Sequence, residues 1–242
     1  MSDIQCPNCS EEVTAFASGK YTTTCPKCQS RLVVDDAKVD AKSAMAKFTE
    51  TPKAIAVGWP VDLGGKTLRV LGRIQYQYEA GYWDEFHIEF PDRTLAWISV
   101  DEGRYLLQQE LQVEDINLAQ LKSLNAGDSF TLLDETFQVR EIGFATMVGM
   151  QGQIPFVVEP DEIMHYIQLS APERELTVEV FGDGSYDVFE GFRLEPDELK
   201  PASHSGHSSS QFHKIYSPPV FDDPEETDSA SDSRVFSCSK CS

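Results

Sequence analysis

The chain has 242 residues, 40% of them apolar and 10% aromatic, with 40 acidic against 20 basic side chains and a formal net charge of −20. Charge of that sign repels phosphate backbones and anionic lipid, so neither nucleic acid nor a lipid surface is an expected partner. Nowhere do 18 uninterrupted apolar residues occur, and Met1–Cys6 has neither the basic start nor the apolar run of an export signal. A cytoplasmic protein without membrane insertion is the expectation.

The six cysteines fall into three Cys-x-x-Cys pairs, which suits metal ligation in a reducing compartment better than a disulfide framework. Cys6-Pro-Asn-Cys9 and Cys25-Pro-Lys-Cys28 are separated by fifteen residues, enough for a hairpin bent at Gly19. Two such knuckles place four thiolates in the tetrahedron that Zn²⁺ accepts, and four thiolates close the shell, so the metal is expected to be structural. About thirty residues bury too little apolar surface to fold alone, so metal binding must supply roughly 10–16 kcal/mol. The first expected domain is therefore a zinc ribbon over 1–34 with Cys6, Cys9, Cys25 and Cys28 as ligands. It resembles short bacterial ribbons of the form Cys-Pro-x-Cys, except that Ser10 and Gln29 stand where those carry a glycine after each knuckle. The ribbon carries no basic stripe, which argues for protein contact or simple stabilisation over nucleic acid.

Residues 35–52 are rich in Ala and Lys and end at Pro52, predicting a linker or short helix, with Met45 and Phe48 able to dock on a neighbour. The body, 53–200, carries 27 acidic and 11 basic residues. Within it Ile74, Tyr76 and Tyr78 alternate with polar residues up to Ala80-Gly81. A second run sets Tyr82, Asp84, Phe86, Ile88 and Phe90 on one face and Trp83, Glu85, His87 and Glu89 on the other. Pro91-Asp92 closes it and Leu95–Val100 follows. Period-two patterning between such punctuation predicts a β-meander.

An echo runs at an offset of 69: Gly58, Val61, Leu63, Thr67, Leu68 and Val70 align with Gly127, Phe130, Leu132, Thr136, Phe137 and Val139. Each copy reads as two strands about a tight turn, Gly64-Gly65 and then Asp134-Glu135, so a pseudo-duplicated architecture is expected. Ile116, Leu118, Leu121 and Leu124 fit a helical turn or two between the copies. Gly149–Gly152 reads as a turn before a strand, and Gly182-Asp-Gly184 as the bend of a later hairpin. The sum is a mainly β protein, the ribbon followed by an all-β barrel or pair of sheets.

The run Gly72, Tyr76, Trp83-Asp-Glu-Phe86, Trp97-Ile98 and Gly103, with Gly127-Asp128, Phe137, Gly143 and the hairpins 176–181 and 185–190, resembles the bacterial domain of unknown function 4178. The resemblance covers about 52–199. It implies a β-rich domain, often joined to a Cys-x-x-Cys ribbon, with no assigned activity. It also implies genomic neighbours in polyamine synthesis and membrane remodelling. Relatives usually carry Tyr where Phe86 stands.

Glu85 and His87, two residues apart on one strand face, have the reach of an acid–base pair; the bland alternative is a pair of solvated edge charges. Tyr76, Trp83, Glu85, His87 and Trp97 form the candidate binding face, whose acidic surround favours cations; the same aromatics also suit a sheet core. No nucleophile elbow, phosphate loop or His-pair metal motif accompanies them, so no catalytic residue is assigned. Residues 201–242 are rich in Ser, Pro and acids, predicting a disordered acidic tail, in which His204, His207 and His213 are expected to be inert. The tail ends in Cys238-Ser-Lys-Cys241, half of a metal knuckle or an adventitious thiol pair. The leading expectation is a non-catalytic bacterial adapter with a protein partner, in a membrane-stress setting. The alternative is a binder or enzyme for a cationic metabolite or polyamine.

Overall fold

The computed structural model describes residues 2–15, 19–35, 38–44, 48–49, 55–114, 116–195 and 198–202. Met45, the tail histidines and the Cys238/Cys241 pair lie outside these residues.

The N-terminal unit opens with a hairpin of β1 (Ser2–Gln5) and β2 (Glu12–Ala15). A three-stranded antiparallel sheet follows: β3 (Lys20–Thr24), β4 (Arg31–Asp35) and β5 (Lys38–Lys42). Residues 38–42 are thus a strand where a linker or short helix was expected. Val39 and Ala41 alternate with Lys38, Asp40 and Lys42, and the edge of β4 offers a hydrogen-bonding partner that overrides the helical preference of Ala and Lys. Of the linker's two candidate docking residues, Phe48 packs on the barrel, 4.0 Å from the Arg73 guanidinium.

The body contains β6 (Pro60–Leu63), β7 (Lys66–Tyr78), β8 (Gly81–Glu89), β9 (Leu95–Asp101) and β10 (Arg104–Leu111), then the single-turn helix α1 (Leu118–Leu121). The second half runs through β11 (Ser129–Leu132), β12 (Glu135–Ile154), β13 (Ile163–Ser170), β14 (Glu175–Val180), β15 (Tyr186–Leu194) and β16 (Leu199–Pro201). Strands pair in the order β7-β8-β9-β10-β15-β14-β13-β12, and β12 pairs back with β7, so eight strands close into a barrel. The ring is two four-strand halves joined by the antiparallel seams β7·β12 and β10·β15.

The offset-69 echo is a structural repeat. Val61 pairs with Leu68 and Leu63 with Lys66; Phe130 pairs with Phe137 and Leu132 with Glu135. Gly58 N–H donates to Val70 O, and Gly127 N–H to Val139 O. Both hairpins turn through two left-handed residues, Gly64-Gly65 and Leu133-Asp134, so the second turn sits one residue earlier than expected.

Gly149–Gly152 is likewise strand, not turn: these residues pair with Gln75, Ile74, Arg73 and Gly72 across the seam. The glycines permit the close approach there. A Cβ on Gly72 would stand 2.2 Å from the Gln153 carbonyl oxygen, and one on Gly152 2.3 Å from that of Leu71.

Two apolar cores lie on the strand face turned away from the ring. One packs Val61, Leu68, Phe86, Ile88, Ile98 and Leu107 beneath β6 and β16; the other packs Phe130, Phe137, Ile167, Leu176 and Val178 beneath β11 and α1. The opposite face of the same strands, with Tyr76, Trp83, Glu85, His87 and Trp97, therefore turns into the ring.

Candidate functional site

The four ribbon thiols converge. Each knuckle is an identical turn: Ser10 N–H donates to Cys6 O and Gln29 N–H to Cys25 O, while the cysteine N–H groups donate to Glu11 O and Ser30 O. Ser10 and Gln29, where a glycine is usual, take left-handed φ values of 59° and 61°. The sulfurs lie within 4.8 Å of one another, with Cys6–Cys28 at 3.7 Å and Cys9–Cys25 at 3.6 Å. A tetrahedron with metal–sulfur bonds of about 2.3 Å has edges of about 3.8 Å, so the spacing fits a thiolate-bound ion. Hydrogen bonding to the side chain and backbone of Ser30 draws the Cys28 thiol down to about 5. Around the sulfurs, among the described residues, Val13 and Leu32 are buried with Cys6 and Cys25, Ile4 and Val39 pack against them, and Tyr21 and Val34 form a second small cluster on the same two side chains.

The ribbon is fixed to the barrel. Thr23 and Thr22 of β3 pair with Gln153 and Ile154 at the end of β12. Buried Thr22 donates its hydroxyl to Phe156 O at 2.8 Å and accepts from Val158 N–H at 2.9 Å. Buried Arg31 donates to the Val158 carbonyl and pairs with Glu159.

The ring's interior holds all five residues of the expected binding face. Tyr76 stacks on Trp83 with centroids 5.1 Å apart, and Trp83 meets Tyr78 and Tyr166 edge-on at 5.1 and 5.2 Å. Trp97 lies 4.9 Å from the His87 ring and 6.1 Å from Phe156.

Glu85 and His87 are interior rather than solvated, 9% and 2% exposed, yet they do not form an acid–base pair. Glu85 accepts from Trp83 Nε1 at 3.1 Å, whereas His87 Nδ1 lies 3.4 Å from the Gln153 carbonyl. Burial lowers the His87 pKa to about 4, so the ring is neutral at physiological pH. Asp84, on the outer face, is held by Arg73 Nε and Nη2, both 2.6 Å from the same carboxylate oxygen.

Sequence reasoning missed the opposite wall. A cavity of about 30 Å³ is lined from seven barrel strands, with Glu85, Ser99 and Gln108 facing Gln168, Thr177 and Glu179. At its mouth Tyr78 donates to Asp101 (3.1 Å) and Tyr166 to Glu141 (2.7 Å). Burial, then the negative field of Glu85, Glu179, Glu162 and Asp187, raises the Tyr76 phenol well above its usual range, and the first two of these carboxylates line the cavity. The same order of causes, with Asp101 as the charge, raises Tyr78 to about 12. Beyond the mouth an outer groove of about 1,320 Å³ shares Tyr78, Glu141 and Tyr166 and adds Phe144, Ile163 and Phe181. The only signal for this wall was period-two alternation in β13 and β14; which far strand faces Glu85 depends on ring closure.

Fold and sites together define a closed β-barrel carrying a strand-paired four-cysteine ribbon. The chain belongs to the family described as Domain of unknown function (DUF4178), whose model matches residues 56–196. That span is the barrel; the ribbon precedes it. No curated protein and no solved structure matches the chain. Among the described residues, no helix is long and apolar enough to cross a membrane.

Proposed function

We propose that this is a non-catalytic binding protein: a structural zinc ion holds the ribbon, and the barrel interior takes the ammonium head of a small amine. The observation that carries the reading is the pair of buried carboxylates, Glu85 and Glu179, in an aromatic-walled cavity that Asp101 and Glu141 also line. Carboxylates desolvated in such a wall favour a cation, and ring faces add a cation–π attraction of about 0.5–2 kcal/mol. The cavity of about 30 Å³ admits a couple of water-sized groups, which suits an ammonium head and excludes a bulky one. An attached methylene chain would leave past Tyr78 and Tyr166 into the outer groove, where Phe144, Ile163 and Phe181 offer apolar contact. Catalysis gains no support from the meander, because Glu85 and His87 are each engaged by other groups.

Calorimetric titration of the full chain with putrescine, spermidine and n-butylamine tests this. Binding that weakens on the order of tenfold or more in Glu85→Gln and Glu179→Gln supports it, the loss expected of one charge-assisted contact. Absence of heat with all three amines sinks it.

A second reading, an adapter for a protein partner, is favoured by the cleft of about 760 Å³ between ribbon and barrel, where Trp59 is 54% exposed beside Pro60 and Pro91. A Trp59→Ala variant that loses a partner captured by the full chain would support it; one that retains every partner would not.

A further inference from the structure

The segment that follows β12 closes one end of the barrel. Ile154, Phe156 and Val158 are at most 7% exposed and pack with Tyr76, Trp83 and Trp97, while the Gln153 carbonyl meets His87. Beyond Ile154 these residues are no longer in a strand. Their backbone hydrogen bonds run to the ribbon instead: Phe156 O and Val158 N–H to the Thr22 hydroxyl, and Val158 O to Arg31. Both ribbon residues are tied to the cysteine cluster by sequence. Thr22 lies three residues before Cys25 on β3, and Arg31 three residues after Cys28 on β4.

We propose that the metal-loaded ribbon is a strap that seats residues 153–158 as a stopper across the barrel end, so that loss of the metal unseats the stopper and opens the interior at Trp97 and His87. The proposal rests on the reading of the cysteine cluster as a zinc site. The ribbon's own buried apolar side chains are Val13 and Leu32 with the cysteines, and Tyr21 and Val34 beside them, a set too small to hold β3 and β4 without an ion. When those strands lose order, Thr22 and Arg31 no longer present their donors and acceptor. The stopper's carbonyls and N–H then face an apolar pocket unsatisfied, which favours their release to water. The barrel strands are untouched by this, since β7–β10 and β12–β15 pair with one another around the ring. Metal occupancy thereby sets access to the end of the chamber opposite the Tyr78–Tyr166 mouth.

Hydrogen exchange of the full chain, before and after stripping with a zinc chelator, tests it, together with acrylamide quenching in a Trp59→Phe background that silences the exposed indole. The expected result is exchange accelerated on the order of tenfold or more at 154–158, with stronger quenching and with β13–β15 still protected. A Thr22→Val variant separates the strap from the metal. It should keep its zinc, measured by elemental analysis, and still exchange faster at 154–158. Unchanged protection of 154–158 after stripping overturns the proposal, as does unchanged protection in a zinc-loaded Thr22→Val chain. Barrel strands that lose protection together with the stopper overturn it too. A full chain purified without zinc overturns the metal dependence and the zinc assignment together, whereas zinc-loaded chain with an indifferent stopper leaves the zinc assignment standing.

Discussion

The Gln153 carbonyl lies 3.4 Å from Nδ1 of His87, joining the end of β12, where the ribbon pairs, to the floor of the barrel interior. That single contact does not offset the cost of charging a fully buried imidazole, and burial brings His87 from 6.5 down to about 4. Between those values the unfolded chain binds a proton that the folded chain refuses. Stability is therefore full above about pH 6.5, falls as pH drops, and stops responding to this group below about pH 4. The total is about 3 kcal/mol. In His87→Phe the denaturation midpoint should lose most of its pH dependence across that window; an unchanged slope would show that His87 is not the titrating group.

Asp84 sits on the same strand but on the outer face, 0% exposed, and Arg73 reaches it with two nitrogens. Gln75 adds a third contact and itself binds the backbone of Thr49, so the pair also anchors the chain entering the barrel. Removing one partner strands a buried charge, and Asp84→Ala should cost about 3–5 kcal/mol in urea denaturation. A double Arg73→Met, Asp84→Leu variant should recover much of that loss. If it is no better than the single variant, the pair does more than neutralise itself.

The seam between β7 and β12 has no room for a side chain. Gly72 is not in a left-handed conformation, yet its Cβ would meet the Gln153 backbone at 2.2 Å. Gly72→Ala should therefore destabilise by about 2 kcal/mol or more, through forced separation of two strands rather than through backbone strain. Gly182→Ala, with open space around it and no positive φ, is the control for the steric part. Equal effects of the two would contradict the close approach.

In the knuckles the strain runs the other way. Ser10 and Gln29 hold φ near +60°, a region that costs an L-residue about 1 kcal/mol or more. Ser10→Gly and Gln29→Gly should each raise the unfolding temperature of the metal-loaded chain or slow its loss of metal to a chelator. Faster loss in both would show that the side chains, not the backbone, set the turn.

Alternation in the sequence revealed the strands, and the Gly58/Gly127 echo revealed the duplication, because both are local patterns that survive without knowledge of tertiary structure. Leu133 hid the second turn: an exposed leucine with positive φ carries no turn signal of its own. Glu85 and His87 read as a solvated face because a period of two separates two faces without saying which is inside. Here the apolar face of the meander is covered from without by β6 and β16, and closure turns the charged face inward. Glu179 and Tyr166 could not be joined to Glu85 from the sequence, since they share a wall only through the β10·β15 and β7·β12 seams.

The most direct test of the account is native mass spectrometry of the full chain and of Cys25→Ser. The account predicts one zinc ion bound to the full chain and none retained by the variant in its ribbon. A folded full chain with no metal, or a variant that keeps the ion, would contradict it.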